Sequence, residues 1–371
     1  MKWLYGILCL FFLIIFHEFG HFLAAKLFGV KVESFSVGFG PVLLHRNIKG
    51  TDYRLSLIPL GGYCGMKGEN DFKAALDQNF KEINGEKDSL FGVHPLKRAG
   101  IGFAGPFFNF IFAVFCLSLI NGIGYEYYTY SNKIILSDEL YENSCTAARK
   151  AGLLTGDIIL EINGKKTEDF SQIVEEVAVR PDEDLKVLVD RDGQLLTFTV
   201  HSELEKSDGS GKIGVAADVN NTLKQHTPYY NFFQSIGHGF LDAFEYIGLT
   251  FKSIAILFKG VDLKSAVGGP ARVTEMLGSV AKDGFSAGFK VGFISLSQLM
   301  AIISISLFIM NLLPVPVLDG GLILIALIEA VSHKKVPPKV QYYIQFIGFA
   351  FIGILFIIGL IGDIHYFLGA K

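Results

Sequence analysis

The sequence predicts a polytopic α-helical membrane protein with about four transmembrane helices. A membrane-associated β-hairpin or small sheet is expected between the first two, and a mixed α/β domain between the second and third. Three observations predict this. Apolar residues gather in four blocks about twenty residues long, the length a helix needs to cross a bilayer's hydrocarbon core. The stretch after the first block partly alternates and is rich in β-branched residues, as strands are. A polar block of about ninety residues, with strand and helix patterns of its own, separates the second span from the third.

Taken in order, residues 1–30 hold the first span, 3–28. It opens Met1-Lys2 and runs to about Phe28 with no small-residue cleavage site before its histidines, so it reads as a span and not as a signal peptide. In 31–98, "VESFSVGFGPVLLHR" and "YRLSLIPLGGY" flank a turn at "NIKGTD" and predict a hairpin over 32–59; "KGENDFKAALDQNFKEINGEKDS" then reads as polar loop. The second span is 99–124. The inserted domain, 130–220, contains "AGLLTGDIILEINGKKTED", a helix-like "FSQIVEEVAV" and two apolar runs joined by the hairpin signal "RDGQ". In 228–290, Phe233, Ile236, Phe240, Phe244, Ile247 and Phe251 recur at helical spacing, predicting an amphipathic membrane-surface helix followed by a linker. A buried soluble helix is the alternative. "VGGPARV" at 267–273 falls in that linker and is assigned no chemistry. The third span, 291–313, leads into "PVPVLDGG" and completes 291–330; a loop and the fourth span, 341–362, fill 331–371.

The loop "SHKKVPPK" holds three lysines and no acid, which places it in the cytoplasm. Four spans then put 31–98 inside, and the inserted domain and both termini outside. The chain has 371 residues, half of them hydrophobic, and a net charge of −3. It has no basic domain or Arg-rich run, so no nucleic-acid partner is expected. Cys9, Cys64, Cys116 and Cys145 form no C-x-x-C; only Cys145 lies in the inserted domain, which therefore has no internal disulfide.

The chemistry begins inside the first span. "HEFGH" places His17 and His21 four residues apart on one helical face, where both imidazoles can hold one metal ion, with Glu18 beside them as a general base. An ionisable group at the bilayer centre costs at least about 2.5–3.5 kcal/mol. Three together need a compensating partner, and Zn2+ supplies one. The best third ligand is another ionisable residue at membrane depth, and Asp319 follows the third span directly. Pro314 and Pro316 break the helix before it, and Gly320 and Gly321 are expected to loosen the chain after it. Asn109, in "AGPFFN" of the second span, reads as a structural residue satisfied by an interhelical hydrogen bond.

"HEFGH" in the first span with "NLLPVPVLDGG" after the third resembles the site-2 protease family of intramembrane zinc metalloproteases. "SVGFGP", "IPLGGYCGMKGE" and "FAGPFFNF" resemble family segments in the same order. The layout resembles the bacterial RseP/RasP-like subgroup, here with a single PDZ-like domain, since "GLLTGDIILEINGKK" resembles the PDZ signature. The resemblance implies His17, His21 and Asp319 as zinc ligands, Glu18 as catalytic base and Asn311 near the reacting centre. It implies that Gly38, Phe39 and Gly40 belong to a membrane-entering β-structure that receives substrate as an added strand. It further implies a monomer in the bacterial inner membrane with an extracytoplasmic PDZ-like domain. Its substrates would be single-span proteins such as anti-sigma factors or remnant signal peptides, trimmed first by an upstream priming protease. A metal or proton transporter would use similar residues, but the inverted repeats that would favour it are not visible. A scaffold binding partners through the PDZ-like domain would not need the complete set.

Overall fold

The computed structural model describes residues 1–142, 144–262 and 268–369. Residue 143, residues 263–267 (with Val267 of "VGGPARV") and residues 370–371 lie outside it, within the regions read as inserted domain, linker and fourth span. The chain divides into two compact units. The first comprises residues 1–120, 232–247 and 268–371; the second, residues 121–231 and 248–267.

The first unit carries the apolar helices. Four are long and apolar enough to cross a membrane: Lys2–Phe28, Pro95–Ile123, Phe289–Leu312 and Pro338–Gly369. At 1.5 Å per residue each exceeds about 30 Å. The first stops at Gly29, whose φ of 81° lets the chain turn while Val30 donates to the Ala25 carbonyl at 2.8 Å. Two helices extend beyond the expected spans. The second begins at Pro95, since proline lacks only an N–H that the first turn leaves unpaired anyway. The fourth continues past residue 362 because Asp363, which ends the apolar run in the sequence, is buried and fully used.

Its partner is a helix that the sequence reading passed over as linker. Pro270–Ala287 is helical, and Asp363 accepts from the main-chain N–H groups of Gly269, Ala271 and Arg272 at 2.8, 2.9 and 3.2 Å. The glycines that suggested a linker allow backbone contact. A Cβ on Gly278 would lie 1.9 Å from the Lys2 carbonyl oxygen, and one on Gly6 the same distance from that of Thr274. Small residues are how membrane helices approach this closely. Asp363→Ala orphans the three N–H groups and is expected to cost about 1–3 kcal/mol, read as a lower unfolding midpoint in detergent, with Asp363→Asn in between.

The expected hairpin is larger than 32–59. Its strands are Val32–Ile48 and Thr51–Met66, joined at Lys49 and Gly50, which both take positive φ. Ser34–Val37 pairs on both sides, with Gly62–Gly65 and with Asp52–Leu55. The two long strands thus fold into a curled sheet. Around its far end Leu43, Leu44, Leu57 and Ile58 are exposed. The polar stretch after it is not all loop, since Glu69–Asp77 is a short helix.

The second unit is built on a four-stranded antiparallel sheet, with Lys165–Lys166 beside Ile158–Ile162, then Asp184–Arg191, then Gln194–His201. The "RDGQ" hairpin turns at Asp192 and Gly193, both at positive φ. Helix Phe170–Ala178 starts at Asp169, whose side chain accepts from the Gln172 N–H. Leu185, Val187 and Val189 alternate inward to meet Ile159, Ile162, Ile173 and Val177. The unit reaches beyond 130–220, because Glu126–Tyr130 pairs with Thr222–His226. Helix Phe232–Ile256 occupies the predicted amphipathic segment. In its N-terminal half, Phe240 and Phe244 pack on Phe110, with ring centroids 6.0 and 5.6 Å away.

Candidate metal centre

The first apolar helix brings His17 and His21 to one face, their rings edge to face with centroids 4.8 Å apart. The third apolar helix ends at Leu312. Pro314 and Pro316 keep the chain out of helix through Leu318, and a new helix starts at Asp319. Gly320 and Gly321 do not loosen this helix, as the sequence suggested. Both are buried in its first turn, where a Cβ on Gly320 would lie 2.1 Å from the Leu313 carbonyl oxygen and one on Gly321 2.4 Å from Pro316 Cα. They let the turn fold back tightly, and that aims Asp319 at the histidines.

His17 Nε2 lies 3.2 Å from His21 Nε2 and 3.2 Å from Asp319 Oδ2; His21 Nε2 lies 3.3 Å from Asp319 Oδ1. Two imidazole nitrogens and a carboxylate suit zinc, and a tetrahedral site with arms of about 2.0–2.1 Å has edges of about 3.3–3.4 Å. The donor set and its spacing therefore fit a zinc ion. His21 Nδ1 donates to the Ile101 carbonyl at 2.8 Å. A carbonyl only accepts, so this bond fixes the proton on Nδ1 and turns the Nε2 lone pair to the cluster.

The second apolar helix adds no residue to this cluster of three, yet it lies against both rings. A Cβ on Gly105 would lie 2.2 Å from His21 Nε2 and 2.8 Å from His17 Cε1. Asn109 makes the interhelical bond expected of it, and its acceptor or donor is His17 Nδ1 at 3.1 Å. Glu18 lies beside the curled sheet. A Cβ on Gly62 would lie 3.6 Å from the Glu18 Cγ. Gly38 and Gly40 form the corner of the sheet, at φ of 92° and 82°, and the exposed Phe39 stacks on Tyr63. Val37 pairs with Gly62, so this corner adjoins the strand beside Glu18. Asn311 stands in the last turn before the break, with no side-chain hydrogen bond among the described residues. Sequence reasoning missed Ile101, Gly105 and Gly62. The glycine pair in "PLGGYCG" was the one available signal, while a main-chain carbonyl leaves none.

In the second unit, an open groove of about 870 Å³ runs between helix Phe170–Ala178 and the segment around Lys212–Val215. Lys212 and Ser207 hold the Glu205 carboxyl at its rim down to about 2, and burial pushes the Cys145 thiol up.

Two histidines one turn apart, a glutamate next to them and a carboxylate at a helix break, set within membrane-length apolar helices, define the class of intramembrane metalloproteases. Residues 5–355 match the model of peptidase family M50, the site-2 proteases, and the chain belongs to that family. It is 34 % identical to a Treponema pallidum protein over 99 % of both chains, and 36 % identical to a Campylobacter jejuni protein over 100 % of this chain and 95 % of that one. A Helicobacter pylori protein is 34 % identical over 97 % of this chain and 98 % of its own. All three carry the description "Putative zinc metalloprotease". The protein is a multi-pass membrane zinc metalloprotease, a hydrolase of peptide bonds whose cofactor is Zn2+.

Proposed function

We propose that His17, His21 and Asp319 hold the zinc ion, that Glu18 is the catalytic base, and that the enzyme cuts single-span proteins within their transmembrane segments. The observation that carries this reading is a pair of imidazole nitrogens 3.2 Å apart, each 3.2–3.3 Å from a different oxygen of the Asp319 carboxylate, on two helices distant in sequence. Zinc, when bound, supplies a Lewis acid that polarises the scissile carbonyl and acidifies water. Glu18 takes the proton from the attacking water and passes it to the leaving amine. Asn311, with its amide uncommitted, holds the substrate carbonyl or the oxyanion that forms from it.

A helical substrate must be drawn out before its peptide bonds are exposed. The curled sheet, with Gly62 beside Glu18 and apolar side chains at its exposed end, is suited to enter the lipid and receive an extended strand. Gly38, Phe39 and Gly40 shape that surface. The second unit reads as a single PDZ-like domain on the extracytoplasmic side of the bacterial inner membrane. Its groove between strand and helix would bind a chain terminus or exclude bulky substrates, so that an upstream protease must trim them first. Anti-sigma factors and remnant signal peptides are the candidate substrates, and the enzyme acts as a monomer.

The test is cleavage of a panel of single-span substrates by the purified protein in detergent. Glu18→Gln is expected to lower the rate about 10²–10⁴-fold with zinc still bound, and a chelator to stop it. Cleavage at the wild-type rate by Glu18→Gln would overturn the mechanism.

A further inference from the structure

We propose that Asn109 is a positioning residue for the metal centre: its side-chain oxygen accepts the Nδ1–H of His17 and so presents His17 Nε2, as a lone pair, to the site. The inference rests on the reading of His17 as a ligand and goes beyond it, to what orients that ligand from another helix.

Asn109 is 1 % exposed, and its amide lies 3.1 Å from His17 Nδ1. With the amide nitrogen facing the ring, Oδ1 is left buried and without a hydrogen-bond partner. An amide presents a donor on one side and an acceptor on the other, and a half turn exchanges them. The imidazole decides which is needed. A histidine that ligates through Nε2 carries its proton on Nδ1 and asks for an acceptor there. The half turn gives it one and gives the orphaned oxygen its donor. His21 is held in the same sense by the Ile101 carbonyl of the same helix, eight residues earlier. The placement of Asn109 is itself secured. Ser304, fully buried, donates to the Asn109 main-chain carbonyl at 2.9 Å, and Gly105, one turn before, leaves room for both rings. The second apolar helix is thus the outer support of both histidines, by a main-chain oxygen for one and a side-chain oxygen for the other.

The test is zinc affinity, measured on the full-length protein in detergent by competition with a fluorescent chelator, alongside thermal unfolding with excess chelator. Asn109→Leu is expected to weaken zinc binding about 10–100-fold, the usual loss when an outer-shell partner is removed. Asn109→Asp offers only acceptors and is expected to stay within about threefold of wild type. Unfolding of both variants in chelator is expected to track wild type. Wild-type zinc affinity in Asn109→Leu would overturn the proposal, as would an Asn109→Asp variant as weak as Asn109→Leu. If Asn109→Leu does not accumulate, Asn109→Asp decides alone, and a tenfold loss in it overturns the proposal. His17→Ala separates the two readings: zinc retained there would overturn the ligand assignment itself, whatever Asn109 does.

Discussion

Glu329→Ala is expected to destabilise the protein by about 3–5 kcal/mol and to release zinc before global unfolding. Arg98 and Glu329 form an ion pair in which each residue is 4 % exposed. Arg98 Nε has no partner and the guanidinium faces the Phe91 ring, 5.6 Å away, so the carboxylate is its principal compensation. Removing the acid strands a buried cation. It also frees the Val336 N–H, which donates to Glu329 Oε1 at 2.7 Å. Replacing both partners, as in Arg98→Met with Glu329→Leu, should cost much less, because no uncompensated charge is left. Zinc is the second readout because of where the pair sits. Glu329 is ten residues after Asp319 on one helix, about 15 Å along it, and Arg98 is one turn before Ile101 on the helix that supports both histidines. The pair therefore ties the carboxylate's helix to the histidines' support. Zinc content that survives until the fold itself melts would show that the tie does not reach the site.

Gly105→Ala is the smallest change with a large expected effect. A methyl group there would lie 2.2 Å from His21 Nε2 and 2.6 Å from its Cε1, well inside van der Waals contact. The helix backbone tolerates alanine, so the damage falls on the rings. Both must shift by the order of 1 Å, a misplacement that costs on the order of 100-fold in rate. Zinc per protein should fall well below one, while helix content by circular dichroism stays at the wild-type level. Full zinc occupancy with normal cleavage would mean that the two helices part easily at this level.

What the sequence made legible is the chemistry carried by residue type. The i, i+4 histidines, the adjacent glutamate and the carboxylate beside two prolines each have a spacing that a helix or its interruption explains. The structure brings His17, His21 and Asp319 together. The positions of the four apolar helices were legible too, to within four residues except at the end of the last, which runs seven residues further, because apolar length is a one-dimensional property. What was not legible is support that comes from main chain or from the lack of a side chain. The Ile101 carbonyl has no signature in sequence. Gly105 and Gly278 look alike on paper, and one clears two histidines while the other lets two helices touch. The sequence of helix Pro270–Ala287 reads as linker for the same reason, since its glycines and mixed polarity describe a contact surface for which no apolar stripe is needed. In the sequence Asp363 ends an apolar run. In the structure it is the cap of that unrecognised helix.

The histidines are not midway along their helix. His17 comes about 22 Å after Lys2, whereas His21 is only about 10 Å from Phe28, where the chain leaves for the sheet. The helix is in this sense a ruler, and on the proposed assignment it fixes the height at which an incoming span is severed. Division at that height leaves a stub of about seven residues on one side and about fifteen on the other, and neither reaches the ~20 residues that hold a helix across a bilayer. On that proposal both products would be too short to stay as spans, and one hydrolysis would be enough to release them. The position of two side chains along one helix would make the cut effectively irreversible and clear the cleft for the next substrate.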